Sequence, residues 1–306
     1  MSKVTPEGIT VIGAGRMGSA YAEVFTKVAG LKVTVWNRTV DKAMKLLDAG
    51  CAHAVADTVE EAIGANKALF FCMSRGPAAL APIFSAANKD AGLFEGKEVA
   101  LMGAYFPREL MPLNEFLESC GANLTKVAVE GLPDTVRQQQ APVVIAGKGG
   151  YDFWRPYLEP VSRPGYLLDQ GEDVQHAALF ECNFCFTVFT AILYYMRQCA
   201  VLDVRGMDPS VTLKMLKEPD MSPPFADYWL NSVLNRNYTD TVMFTVDDCI
   251  EEWFREMDYY RENGLEVVRD QLYQYLRQAQ QMGYGQQDFC AIYEPILVDM
   301  RRRAGL

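Results

Sequence analysis

Ile9-Thr10-Val11-Ile12-Gly13-Ala14-Gly15-Arg16-Met17-Gly18 is the stretch that decides the fold. Four apolar-patterned residues of strand length stop on a glycine. A G-x-G-x-x-G then opens a helical pattern of Met17, Ala20, Tyr21, Val24 and Phe25 that runs to Gly30. After a strand and before a helix, the first glycine permits the turn and the second lets a pyrophosphate approach the backbone. The third lets helix and strand pack closely, and the first amides of the helix face an anion. An ordinary strand-to-helix turn could use the same residues. The flanking pattern favours a dinucleotide site built from Gly13, Ala14, Gly15, Arg16, Met17 and Gly18.

Outward from this loop the pattern repeats. Val33 to Trp36 reads as a strand and Asp41 to Ala49 as a helix, with further strands at Ala68 to Met73, Val99 to Met102, Lys126 to Val129 and Val143 to Ile145. Short apolar strands alternating with helices predict a doubly wound parallel sheet covered on both faces, an α/β Rossmann domain over residues 1–173. From Val174 onward the periodicities are helical: Val174 to Asp203, Pro209 to Leu216, Phe225 to Asn235, Val246 to Asn263, Val267 to Met282 and Gln287 to Arg303. Thr245 stands before Val246, Asp247 and Asp248 as a capping hydroxyl with two carboxylates at the positive end of the dipole. Gly264 reads as a helix stop, and Gly283 and Gly285 as a tight turn. An interdomain helix over 174–203 and an all-α domain over 204–306 are predicted.

The tip of the second strand selects the cofactor. An NAD site puts an acid about 20 residues past the loop to hold the ribose diol. Here the tip reads Trp36-Asn37-Arg38-Thr39, followed by Lys42. Asparagine takes the place of the acid, and a guanidinium, a hydroxyl and an ammonium can converge on a 2′-phosphate. The dipole at a helix start disfavours cations, so a bound anion explains Arg38 and Lys42 better than plain solvation does. The predicted cofactor is NADPH, held by Asn37, Arg38, Thr39 and Lys42 together with the glycine loop.

Half of the 306 residues are apolar and the net charge is −10, from 39 acidic and 29 basic side chains. The hydrophobicity excludes disorder and the acidity makes nucleic acid an unsuitable partner. No secretory pattern opens the chain, and the uncharged apolar run from Phe184 to Met196 is shorter than the roughly 20 residues of a membrane span. A cytoplasmic protein without membrane partners is expected. Cys182 and Cys185 form an isolated C-x-x-C inside a helical pattern without a second pair or a suitably spaced histidine, so no metal site is predicted.

Three stretches carry a family resemblance. They are Thr10 to Gly18 with Val35-Trp-Asn-Arg-Thr39; Gly171-Glu-Asp-Val-Gln-His-Ala-Ala-Leu-Phe-Glu181; and Gly283-Tyr-Gly-Gln-Gln-Asp-Phe-Cys-Ala-Ile292. With them the chain resembles the imine reductases, relatives of the β-hydroxyacid dehydrogenases and 6-phosphogluconate dehydrogenases. The resemblance implies a domain-swapped homodimer in which each active site lies between one subunit's cofactor and the other's helices. A helix of about 30 residues, some 45 Å long, suits the linking role. Along Phe184 to Tyr195 it is too apolar to face water on any side.

The β-hydroxyacid dehydrogenases need a lysine near the start of the linking helix, and this chain has none between Lys148 and Lys214. At the matching position stands Glu181, where imine reductases carry aspartate or tyrosine. The resemblance makes Glu181 the catalytic residue, stabilising an iminium ion as a carboxylate or protonating an imine nitrogen as an acid. An ion pair with a basic residue is the structural alternative. Arg197 of the same chain is excluded from it, being about 24 Å along the helix. The chain departs from the family after the fifth strand, where Leu101-Met-Gly-Ala-Tyr-Phe-Pro107 replaces a polar run. The expected activity is NADPH-dependent reduction of a C=N bond in a cyclic imine or iminium, with reductive amination as an extension. A β-hydroxyacid dehydrogenase-like carbonyl reductase and a non-catalytic NADPH-binding protein are the alternatives. His176 could relay a proton or simply be exposed in a first turn. The cluster Asp247, Asp248, Glu251 and Glu252 could attract an amine or serve capping, and Trp229, Met243, Trp253, Tyr259 and Tyr260 could wall a pocket or fill the core.

Overall fold

The computed structural model describes residues 8–73, 80–216, 226–253 and 270–306. Eight strands form one sheet in the order β3-β2-β1-β4-β5-β6-β7-β8. They are β1 (Gly8–Ile12), β2 (Lys32–Trp36), β3 (Ala54–Val55), β4 (Ala68–Cys72), β5 (Glu98–Met102), β6 (Asn123–Val129), β7 (Val143–Ala146) and β8 (Leu167–Asp169). The chain reverses direction across the sheet between β1 and β4, the topological switch point where doubly wound folds bind ligands at the carboxyl ends of their strands. Helices α1 (Arg16–Lys27), α2 (Val40–Asp48), α3 (Val59–Ala65), α4 (Ala81–Lys89), α5 (Pro107–Ser119), α6 (Pro133–Arg137) and α7 (Gly150–Leu158) connect them.

The sheet is not wholly parallel. β7 runs antiparallel to β6, pairing Lys126 with Ala146 and Val129 with Val143. A parallel return needs a crossover of a dozen or more residues that packs across the sheet. The connection from Glu130 to Pro142 has the length for one but folds only five residues of it into helix, α6, whose Arg137 ties down to Glu23 of α1 at 3.0 Å. β3 and β8, of two and three residues, are too short to leave a periodicity.

One face of the sheet packs Tyr21, Phe25, Phe70 and Trp154 into an aromatic cluster, with Phe70 4.8 Å from Tyr21 and 5.3 Å from Phe25 between ring centres. On the other face Leu69, Phe71, Val99, Leu101 and Leu124 meet α3, α4, α5 and the start of α8 (Val174–Val204) through Val174 and Ala178. Ala177 of α8 joins Ala128, Val144 and Ala146 in a separate small cluster.

The chain divides into two compact units, Met1–Cys182 and Asn183–Leu306, so the division falls within α8. The second unit is predominantly α-helical, as expected. Its described helices include Ser210–Leu216, Ala226–Asn235, Asp270–Ala279 and Tyr293–Ala304, and its β-pairing is the isolated bridge between Thr245 and Asp288. Thr245 caps as predicted, accepting from the Asp248 amide at 2.9 Å. Trp229 is fully buried and stacks on Tyr195, a core role. Phe225, Tyr259, Tyr260 and the stop at Gly264 lie outside the described residues. By length and composition α8 could cross a membrane, and half of its most apolar window is buried.

Candidate functional site

The glycine loop closes on itself through its neighbours. Gly13 has a φ of 108°, and its amide donates to the Trp36 carbonyl at 2.9 Å. A Cβ there would run into the Cys72 carbonyl oxygen, and one on Gly18 would fall on the Gly13 carbonyl oxygen. At Gly15, by contrast, a Cβ would meet nothing within 4 Å. The loop is therefore tight against β1, β4 and α1 at its first and third glycines and open at its second, the shape a pyrophosphate requires. Gly15 is the N-cap of the twelve-residue α1 and lends no side chain to its amides, which leaves them pointing at the open space.

Asn37 makes two bonds to the backbone around it. Its Oδ1 accepts from the Ala14 amide at 2.9 Å and its Nδ2 donates to the Thr39 carbonyl at 2.9 Å. It fastens the glycine loop to the tip of β2. An aspartate would keep the first bond but set an oxygen against the Thr39 carbonyl. Arg38, Thr39 and Lys42 are exposed on the same tip, and neither cation is ion-paired among the described residues. Thr39 is the N-cap of α2 without making a side-chain capping bond, so its hydroxyl is available. If Arg38 meets the 2′-phosphate, Arg38→Ala should weaken NADPH binding by at least about tenfold while leaving NADH binding within about twofold, since NADH has no such phosphate. Fluorescence titration with both cofactors checks this.

Glu181 is buried on α8 and its Oε2 lies 2.6 Å from Nζ of Lys126, which is wholly buried on β6. Lys126 also donates to the Val127 carbonyl at 2.8 Å. The ion pair weighed for Glu181 thus exists, with a lysine the sequence reading did not consider. Arg197 instead bonds to Gln271 at 2.9 Å. Burial raises the Glu181 pKa above the usual carboxylate range, with Lys126 pulling it back down. The side chain keeps about 10% of its surface. Its Oε1 makes no hydrogen bond to a described residue. Lys126 pairs with Leu101 on β5, one step short of that strand's carboxyl end at Met102, so the pair sits toward the same sheet edge as the glycine loop.

The segment after β5 is turned inward. Tyr105 and Phe106 are fully buried, the Tyr105 hydroxyl donates to the Met73 carbonyl at 3.3 Å, and Gly103 takes a φ of 132°. These residues replace a polar run with core. His176 is exposed, its Nδ1 2.9 Å from the Gln170 carbonyl. Asp247 accepts from the Gln280 and Gln286 amides at 2.7 and 2.6 Å, a local role that competes with attraction of an amine. The eight cysteines form no disulfide, and no metal-holding cluster occurs among the described residues.

Residues 8–168 match the family model of the NAD-binding domain of 6-phosphogluconate dehydrogenase. The NADPH-dependent reductive aminase of Aspergillus oryzae is 23% identical over 78% of this chain and 76% of its own length. Among solved structures, 3-hydroxyisobutyrate dehydrogenase from Salmonella typhimurium superposes with a TM-score of 0.81 at 16% identity, covering 94% of this chain and 99% of the other. An imine reductase from Myxococcus stipitatus, in complex with NADP+, gives 0.63 at 24% identity, covering 95% and 99%.

Proposed function

Because the chain belongs to the family of the 6-phosphogluconate dehydrogenase NAD-binding domain, within the β-hydroxyacid dehydrogenase superfamily that includes the imine reductases, we propose that it is an NADPH-dependent carbonyl reductase. Its fold is that of NADP(H)-binding oxidoreductases related to imine reductases and to hydroxyacid and carbonyl reductases. In this reading the amides behind Gly15 hold the pyrophosphate, and Arg38, Thr39 and Lys42 hold the 2′-phosphate. The bound cofactor supplies a hydride, and Glu181 stands toward the reacting end.

The Lys126–Glu181 pair carries the choice of substrate. An iminium ion calls for uncompensated negative charge beside the nicotinamide. Glu181 already has a buried cation at 2.6 Å, so the pair is neutral overall. A C=O substrate is neutral too, and needs a proton for its oxygen as the carbon is reduced. The pair holds such a proton.

Reduction of C=N is the second reading. It is favoured by a carboxyl where the β-hydroxyacid dehydrogenases need lysine, and by the likeness to a reductive aminase. A neutral imine could take the same proton. In either case we propose that a second copy of the chain covers the apolar side of α8, where Phe180, Phe184, Tyr194 and Val201 are exposed, and completes the site.

NADPH consumption measured with a panel of aldehydes and oxo acids, against a pyrroline-type cyclic imine, tests the assignment. The expected result is a kcat/KM for the best carbonyl compound at least about tenfold above that for the imine, a difference of 1.4 kcal/mol in transition-state stabilisation. Turnover confined to the imine would overturn it in favour of the second reading. Cofactor binding without turnover of either class would identify a non-catalytic NADPH-binding protein.

A further inference from the structure

We infer that Lys126 is a positioning residue that keeps a proton available to Glu181, so that one side chain from β6 and one from α8 act together as a single acid. The inference rests on the reductase reading above and deepens it by supplying the cation that the linking helix lacks. The geometry has a direction. Lys126 is wholly enclosed and bonded to the Val127 carbonyl and to Glu181 Oε2. Glu181 Oε1 is the carboxyl oxygen with no bond to a described residue, on a side chain that retains some exposure. The carboxyl therefore bridges a sealed ammonium and the edge of the unit.

The surroundings favour sharing the proton over separating the charges. The strand neighbours of Lys126 are Leu101 on β5 and Ala146 on β7, both buried. One turn back along α8 from Glu181 stand Ala177 and Ala178, both buried, and Cys182 is adjacent. On this part of the helix the other titratable groups are the Cys182 thiol and the exposed His176, five positions before, and Lys126 is the one charged group that acts on the Glu181 carboxyl among the described residues. In so apolar a place two separated charges are costly, and a short bond between them lessens that cost.

The step balances. The Lys126 proton crosses the 2.6 Å bond to Glu181, and rotation of the carboxyl about its soft terminal torsion presents the proton outward. As the carbonyl carbon receives hydride and its π bond opens, the substrate oxygen takes this proton to become a hydroxyl. Lys126 is left as an amine and Glu181 as a carboxylate; the carboxylate, which keeps about 10% of its surface, takes a proton from solvent and hands it back across the same bond to the sealed amine. NADPH is oxidised and the carbonyl is reduced by two electrons.

A structural bridge would need only a cation at position 126. A proton source needs one that can let its proton go, which a guanidinium does not. The experiment is the pH dependence of kcat for the NADPH-loaded wild type, Lys126→Met and Lys126→Arg, with whichever member of the carbonyl and imine panel is turned over best. NADPH affinity is measured alongside as the control for folding. In Lys126→Met the alkaline limb should move down by more than about one pH unit, because the proton held jointly by the pair is gone and only the carboxyl's own proton, though held more tightly than beside the cation, is left to titrate. Lys126→Arg should bind NADPH normally yet lose at least about tenfold in kcat at every pH. Wild-type turnover in Lys126→Arg, or an unmoved limb in Lys126→Met, would overturn the inference whichever substrate is used. If Lys126→Met does not fold, the arginine variant decides alone. Turnover restricted to the imine would overturn the carbonyl reading while leaving this test intact, and no turnover of either class would overturn both.

Discussion

Lys126→Ala should destabilise the protein by about 3–5 kcal/mol, the usual cost of leaving one member of a buried ion pair without its partner. Glu181 would lose the only described charge opposing its burial. The desolvation cost would then be met either by keeping a bare carboxylate in an apolar site or by holding its proton. The second route ties the loss to pH. A carboxyl whose folded pKa is raised binds more protons in the native state than in the unfolded one, so stability falls as pH rises through the window between the unfolded and folded values. Burial already raises Glu181 in the wild type, and removing Lys126 raises it further. Urea unfolding should therefore show a larger gap between variant and wild type at about pH 8 than at about pH 5. Replacing both residues with methionine should recover most of the loss, because two apolar side chains of similar size carry no desolvation cost. A gap that is constant with pH, or a double variant as unstable as the single one, would show that the pair does not govern this region.

The pair also marks where sequence reading stops. The glycine loop was legible because three glycines at fixed spacing, after an apolar strand, have few other uses, and the structure places them tight, open and tight as that use demands. At the tip of β2 the charges of Arg38 and Lys42 can be read in the sequence, whereas the bonds of Asn37 to Ala14 and Thr39 cannot; nothing in a single sequence says which backbone groups an asparagine will reach. Lys126 was visible only as the first residue of a strand candidate. Its partner lies 55 positions away, and the search for a lysine followed the linking helix, where the family would place one. A signal was present nonetheless. Leu124, Val127 and Ala128 are apolar on both sides of it, and a lysine inside a buried strand is rare unless it is paired. The reversal at β7 was lost for a different reason. Strand direction depends on how the connection folds as well as on its length, and the short α6 is hard to tell from a loop.

Glu181→Gln should reduce turnover by about 10²-fold or more, the usual worth of a positioned acid, while NADPH affinity stays within about twofold. The two quantities separate because the glycine loop and the cations Arg38 and Lys42 are on β1–α1 and β2–α2, whereas Glu181 is on α8 over β6. Glutamine fills the same volume and can still accept from Lys126 through its amide oxygen, so the helix stays fastened to the sheet. It cannot carry a proton to a substrate. It also leaves a buried ammonium without a counter-charge, so some loss of stability accompanies the loss of activity, and turnover must be expressed per cofactor-binding site. Glu181→Asp is the finer probe. Aspartate is one of the two residues, with tyrosine, that the family resemblance implies here, but one methylene shorter it draws the carboxyl back by about 1.5 Å, which lengthens a 2.6 Å bond past hydrogen-bonding range unless the strand follows. If Glu181 works through Lys126, aspartate should fail on C=O substrates nearly as badly as glutamine does. If Glu181 instead meets a cationic substrate directly, aspartate should retain turnover of a cyclic imine. Stopped-flow measurement of NADPH oxidation with the three side chains at position 181, each against both substrate classes, decides between these outcomes.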